Sequence, residues 1–171
     1  ISWHHYTTNP EDYTSDLMKL ETWLADYQPK YRNLTKIISE WGYDASYDPM
    51  ADTDGGAAYT IVSIRNLISK GLEMAFSFEV KDGPVPRWGI LSYSGEKKPR
   101  FFALRFLNLL QGLQLQVVGE GTFVRAISSF NPANNKLAVV LVNYDPQEKN
   151  NELVQVNFIN ITGGNYQMTL T

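Results

Sequence analysis

Glu40 ends an aliphatic run in the string KIISEWG at 36–42. Two β-branched residues lead into a serine, a carboxylate, an indole and a glycine, so a strand with buried faces terminates in a charge. An unpaired ionised side chain is costly to bury. Two readings follow: a solvated strand end, or a carboxylate held where chemistry takes place. Other chemically capable residues lie in short strings: His4, His5 and Tyr6 in ISWHHY, Glu79 in FSFE, and Trp88 in PRWG. Residue type and spacing exclude several chemistries. Without cysteine there is no thiol nucleophile, thiolate zinc site or disulfide. The two histidines are adjacent, so no Ser-His-Asp arrangement can be argued, and with Glu40 they lack the helical HExxH spacing of a zinc site. Gly119-Glu120-Gly121 is a turn, since neither a P-loop lysine nor a helix pattern follows it.

The elements that must position these residues can be read from periodicity. ISWHHY suits a short buried strand. Asn9-Pro10-Glu11-Asp12 then supplies a cap, a first-turn proline and acidic residues. Tyr13, Leu17, Leu20, Leu24 and Tyr27 form one helical face that closes at Pro29. A strand over 36–39 follows, then a polar loop from Asp44 to Gly56. Ala57, Ile61, Ile64 and Ile68 mark a second helix stopped by Gly71, LEMAFSFE at 72–79 a third strand, and Pro99 to Leu110 a third helix. Alternating strands and helices predict parallel strands covered by helices. Beyond Gly112 the pattern changes to strand-like runs (LQLQVV, TFVRAISSF, KLAVVLVNY, LVQVNFINI and YQMTL) separated by Asn, Pro and Gly turns. The predicted division is therefore α/β over 1–112 and an antiparallel β region over 113–171.

A chain of 171 residues that is 43% hydrophobic can bury a core. A net charge of −3 without a basic run argues against nucleic acid, and no apolar stretch approaches the roughly 20 residues of a membrane span. Asn33-Leu34-Thr35 and Asn160-Ile161-Thr162 match the glycosylation sequon, which chance explains equally well, so secreted and cytoplasmic locations both stay open. Three βα units leave exposed parallel edges. The strand-like opening ISWHHY leads us to expect residues before Ile1, and the edges to be covered either by strands from another chain or by the tail.

The succession ISWHHY, IISEWG, AFSFEVKDG…WGIL and KPRFFALRFLNLL resembles the last three βα units of a clan A glycoside hydrolase, most closely family 39, whose relatives include β-xylosidases and α-L-iduronidases. The resemblance covers nearly the whole chain. It implies units six to eight of a TIM (β/α)8 barrel over 1–112, followed by a β-sandwich-like domain over 113–171. It places Glu40 at the end of the seventh strand as the nucleophile of a retaining O-glycosyl hydrolase. Tyr6, at the end of the sixth strand, falls where clan members carry a tyrosine bonded to that nucleophile, which would hold its geometry and stabilise its charge. Glu79 falls where relatives carry a substrate-contacting carboxylate. The acid/base glutamate of such enzymes follows an asparagine on the fourth strand, which is not among these three.

Each role has a plainer counterpart. Tyr6 also fits a core tyrosine with its hydroxyl at the surface, and Glu79 a surface partner of Lys81 or Arg87. Strand alternation sends His4 and His5 to opposite sides. His4, on the side of Tyr6, is the expected sugar-hydroxyl ligand, or else a structural histidine. Trp41 and Trp88 are expected to stack on pyranose rings. The expectation is one part of a retaining glycosidase for oligo- or polysaccharides, with no cofactor and no metal. Its partners would be a carbohydrate substrate and the N-terminal part of the same barrel, with no membrane or nucleic acid. The rival is a non-catalytic carbohydrate-binding or scaffold module built on the β tail, although that tail has no tryptophan.

Overall fold

The computed structural model describes residues 1–161 and 163–171. Three parallel strands form the first sheet in the order β1 (Ser2–Tyr6), β2 (Ile37–Gly42), β3 (Met74–Ser77). The intervening helices are α1 (Glu11–Ala25), the short α2 (Pro29–Arg32) and α3 (Asp54–Ser69), and α4 (Pro99–Leu107) follows β3. The expected alternation is present, with shifted boundaries. β2 runs three residues past Ser39, so Glu40 lies inside the strand rather than after it. Gly55 and Gly56, expected in a loop, lie in the first turn of α3, capped by the Thr53 hydroxyl. A β-carbon on Gly56 would come within 2.4 Å of the Ala51 carbonyl, so glycine is needed where a 3-10 turn (Pro49–Asp52) crosses the helix start.

Only one face of this sheet is covered. Ile38 and Trp41 join Tyr13 and Leu17 of α1 and Tyr59, Ile61, Val62 and Leu67 of α3 in a buried core. The other face is open: Met74 and Phe76 of β3 are 52% and 56% exposed. No described strand pairs with the outer edge of β1 or of β3.

β2 carries one residue more than either neighbour can match. Trp3 pairs with Ile38 while the next residue, His4, pairs with Glu40. On the other side, Ile38 pairs with Ala75 and Trp41 with Ser77. This β-bulge at Ser39 is pinned by the Ser39 hydroxyl, which donates to the Trp3 carbonyl at 3.1 Å. It resets the strand's alternation. Under strict period-two alternation Glu40 would share the core face with Ile38. With the extra residue, Trp41 takes the core position and Glu40 turns to the open face.

The tail forms one antiparallel sheet in the order β4 (Leu113–Leu115), β5 (Val124–Asn131), β6 (Lys136–Asn143). Two of the five expected strands are absent: 153–161 and 166–170 lie in no strand, and no second sheet is formed among the described residues. Both runs have β-favouring side chains but lack a described ladder partner, and propensity alone does not make a strand. Thr162, which completes the second sequon, lies outside the described residues. Ile127, Val142 and Tyr144 of the tail join the same core as the helices, and Glu120 bridges Arg65 of α3 (2.7 Å) and Arg125 of β5 (3.7 Å). A single core crosses the sequence division at residue 112.

Candidate active site

The bulge and the C-terminal strand ends bring three of the expected side chains together. Glu40 Oε2 accepts a hydrogen bond from the Tyr6 hydroxyl at 3.0 Å and lies 3.4 Å from His4 Nδ1. Tyr6 and His4 occupy alternate positions on β1 and therefore share a face, as alternation predicts. His5 points the other way, against the Tyr13 ring, with Nδ1 2.5 Å from the Asp16 carboxylate of α1. Burial pushes the Tyr6 phenol well above its ordinary range, reinforced by the hydrogen bond to Glu40 and the charges of Glu40 and Glu79, while Arg100 acts in the opposite sense. The carboxylates of Glu40 and Glu79 thus bear on the same phenol, one by contact and one through its field.

Glu79 follows β3 after a cis peptide with Phe78. Its backbone is fixed on both sides, its N–H donating to the Trp88 carbonyl (3.1 Å) and its carbonyl accepting from Ile90 (3.0 Å). Lys81 lies over the Tyr93 ring and Arg87 over the Trp88 ring, so neither takes the surface pairing with Glu79 that was the plainer expectation. Trp88 is half-buried, packed on Phe78 with its indole N–H donating to the Asp44 carbonyl at 2.6 Å, which ties the β3–α4 loop to the loop after β2.

Trp41 does not have the expected place. It is 2% exposed and its ring meets Tyr13 edge-on in the helix layer, on the opposite side of β2 from Glu40. A sugar ring on the open face cannot reach it. The physical reason is the bulge at Ser39, which turns Glu40 to the open face and so leaves its neighbour Trp41 on the core side.

Several supporting residues carry no sequence motif. Gly42 is one: a β-carbon there would lie 3.1 Å from Cε1 and 3.2 Å from Cδ1 of Tyr6, so its absence gives the phenol room to lean toward Glu40. A buried charge cluster fixes the β3–α4 loop. Lys98 Nζ is 2.5 Å from Asp82 Oδ2 and 2.8 Å from Asp52 Oδ2, while Asp82 Oδ1 accepts from the backbone N–H of Arg87 (3.0 Å) and Gly89 (2.8 Å). Arg100 is buried beneath this loop and donates to the Trp88 carbonyl and the Ser77 hydroxyl. The alternation of Lys, Asp and Arg over 81–100 signals charge, but nothing in it signals which charges are buried.

A carboxylate oriented by a phenol, on an open strand-end face beside a second carboxylate and a fixed indole, can act as a nucleophile or a general base and can accept bonds from hydroxyls. Among the described residues no cluster of His, Cys, Asp and Glu could hold a metal ion.

The same fold occurs in solved glycosidases. A family 39 β-xylosidase from Caulobacter crescentus superposes with a TM-score of 0.63 at 21% identity, covering 81% of this chain and 31% of its own. A family 39 enzyme from Xanthomonas axonopodis pv. citri gives 0.60 at 18% identity, covering 78% and 27%. A glucosidase from Croceicoccus marinus gives 0.69 at 16% identity, covering 84% and 32%. This chain spans about a third of the length of these proteins. No protein-family model and no curated protein matches it in sequence. In fold, the chain is similar to the C-terminal part of family 39 glycoside hydrolases.

Proposed function

We propose that this chain is the C-terminal portion of a retaining glycoside hydrolase, with Glu40 as its nucleophile. The observation that carries the reading is the hydrogen bond from Tyr6 to Glu40 on the open face at the C-terminal ends of parallel strands, the end at which β/α barrels hold their active sites. Residues 1–112 would supply units six to eight of the barrel, and 113–171 the appended β region. Glu40 attacks the anomeric carbon and forms a glycosyl ester as the leaving oxygen takes a proton from an acid. Water, with its proton removed by the same group, then hydrolyses the ester and frees Glu40. The acid/base carboxylate must stand roughly 5 Å from Glu40 and would come from the rest of the barrel. Tyr6 orients the Glu40 oxygen, His4 and Glu79 meet sugar hydroxyls, and Trp88 offers an apolar face to the ring. None of these steps uses a cofactor. The outer edges of β1 and β3, unpaired among the described residues, together with exposed Met74 and Phe76, fit a surface that the remaining strands would cover.

The test is turnover of an aryl glycoside by this chain alone and after mixing with the upstream part of the barrel. The expected result is no turnover alone, restored turnover in the mixture, and its loss to background in Glu40→Gln. Turnover by the isolated chain, or restored activity that survives Glu40→Gln, overturns the reading.

A further inference from the structure

Three buried tyrosines lie outside the chemistry just described, and their hydroxyls converge on the backbone that carries it. Tyr59 of α3 donates to the Thr7 carbonyl, one residue after Tyr6. Tyr13 of α1 donates to the Gly42 carbonyl at 3.2 Å, two residues after Glu40, with the Tyr59 oxygen 3.1 Å away. Tyr144, just beyond β6, donates to the Thr8 carbonyl at 3.3 Å, and its ring meets that of Tyr59 at 6.0 Å. The strand ends are also joined directly, Thr7 N–H donating to the Gly42 carbonyl at 3.2 Å. Filling a core requires only the rings, and phenylalanine would serve. Here three hydroxyls from α1, α3 and the tail end on carbonyls 7, 8 and 42, which flank the residues whose mutual distance matters.

We infer that Tyr59 and Tyr144, together with Tyr13, are positioning residues for the Tyr6–Glu40 pair, and that the tail sheet supports the site rather than binding sugar on its own. Their hydroxyls fix the angle at which β1 and β2 end. Gly42 passes that angle on, because the Tyr6 ring rests where a β-carbon of residue 42 would be. The catalytic consequence rests on the function proposed above; the geometric one does not.

The experiment uses the whole 171-residue chain with its tyrosines labelled with carbon-13 at Cζ. The Tyr6 signal is assigned from its loss in Tyr6→Phe, and Glu40→Gln gives its position without a carboxylate acceptor. In Tyr59→Phe and in Tyr144→Phe the Tyr6 signal is expected to move part-way toward the Glu40→Gln position. Ile127→Val, which loosens the same core without touching a carbonyl, should leave it in place. A Tyr6 signal unmoved in both tyrosine variants, or moved as far by Ile127→Val, overturns the inference. Tyr144→Phe alone decides it should Tyr59→Phe fail to fold. In enzyme restored by mixing, the same variants should lower kcat about tenfold or more at unchanged KM, since misplacement by a fraction of an ångström affects the chemical step. A moved Tyr6 signal with unchanged kcat would leave the positioning role intact and count against Glu40 as the nucleophile.

Discussion

Tyr6 and Gly42 act as a unit, and each can be changed alone. Tyr6→Phe removes one hydrogen bond to a carboxylate that is over a third exposed, and should cost about 1 kcal/mol in urea unfolding, less than the roughly 1.5–3 kcal/mol of a bond to a charged group because solvent screens it. Gly42→Ala leaves every hydroxyl in place but puts a methyl where the Tyr6 ring sits. It should cost a similar amount, and the carbon-13 position of the Tyr6 Cζ should move toward that of Glu40→Gln. An unmoved signal would mean that the ring slides aside without losing Glu40. Lys98 behaves differently because it is enclosed. Lys98→Met leaves Asp82, whose side chain is 1% exposed, without its cation. Stranding a buried charge costs roughly 3 kcal/mol or more, so this variant should be the least stable of the three by chemical denaturation. Glu40 stands out in the sequence as a charge that ends an aliphatic string, whereas the place of Tyr6 beside it rests on the resemblance and that of His4 on strand alternation. Gly42 and Lys98 do not stand out, since their roles depend on which ring and which carboxylates the fold brings against them.

At the scale of elements, sequence periodicity identified the three longer helices and the three parallel strands, because each buries one face; it missed the short α2, which buries none of its residues and begins at Pro29, expected only to close α1. It misjudged β2 and Trp41 for one shared reason: the expected strand stops at Ser39, whereas the chain bulges there and continues to Gly42 with Trp41 facing the core, and nothing in KIISEWG marks it. The tail runs at 153–161 and 166–170 looked like strands because propensity is local, whereas a strand also requires a partner. The open face of β3 gives a prediction of its own. Met74→Glu combined with Phe76→Lys changes exposed side chains and should alter the stability of this chain by no more than about 0.5 kcal/mol each. Under the function proposed above, the same pair should abolish the restoration of aryl glycoside turnover on mixing with the upstream part of the barrel. Undiminished restoration would show that this face is not where the further strands of the proposed barrel settle.

For the whole molecule, the shared core makes helices and tail sheet one cooperative unit, so thermal unfolding should be a single transition; two separated transitions would contradict a core that crosses residue 112. The buried tyrosines predict its alkaline limit. Burial pushes the Tyr59 phenol up to about 12 and raises Tyr13 and Tyr144 as well, against an ordinary value of 10.0. Above pH 10 the unfolded chain releases phenolic protons that the folded chain retains, so stability falls as pH rises. The urea midpoint should be insensitive to these groups below pH 10 and drop between about pH 10 and 12. Tyr59→Phe should make that drop shallower, and an unchanged slope would mean that its proton is lost as readily in the folded chain.

The extra residue at Ser39 gives β2 an unusual relation to mutation. Substitutions at 37 and 38 alter size and fit, whereas one at Ser39 removes the hydroxyl that pins the bulge. Removing Ser39 would leave Ile38 next to Glu40, so strict alternation would keep the carboxylate on the open face and the Trp41 indole in the core. The direction of the carboxylate therefore depends on the extra residue staying out of the ladder, so this stretch should tolerate the loss of Ser39 better than its replacement.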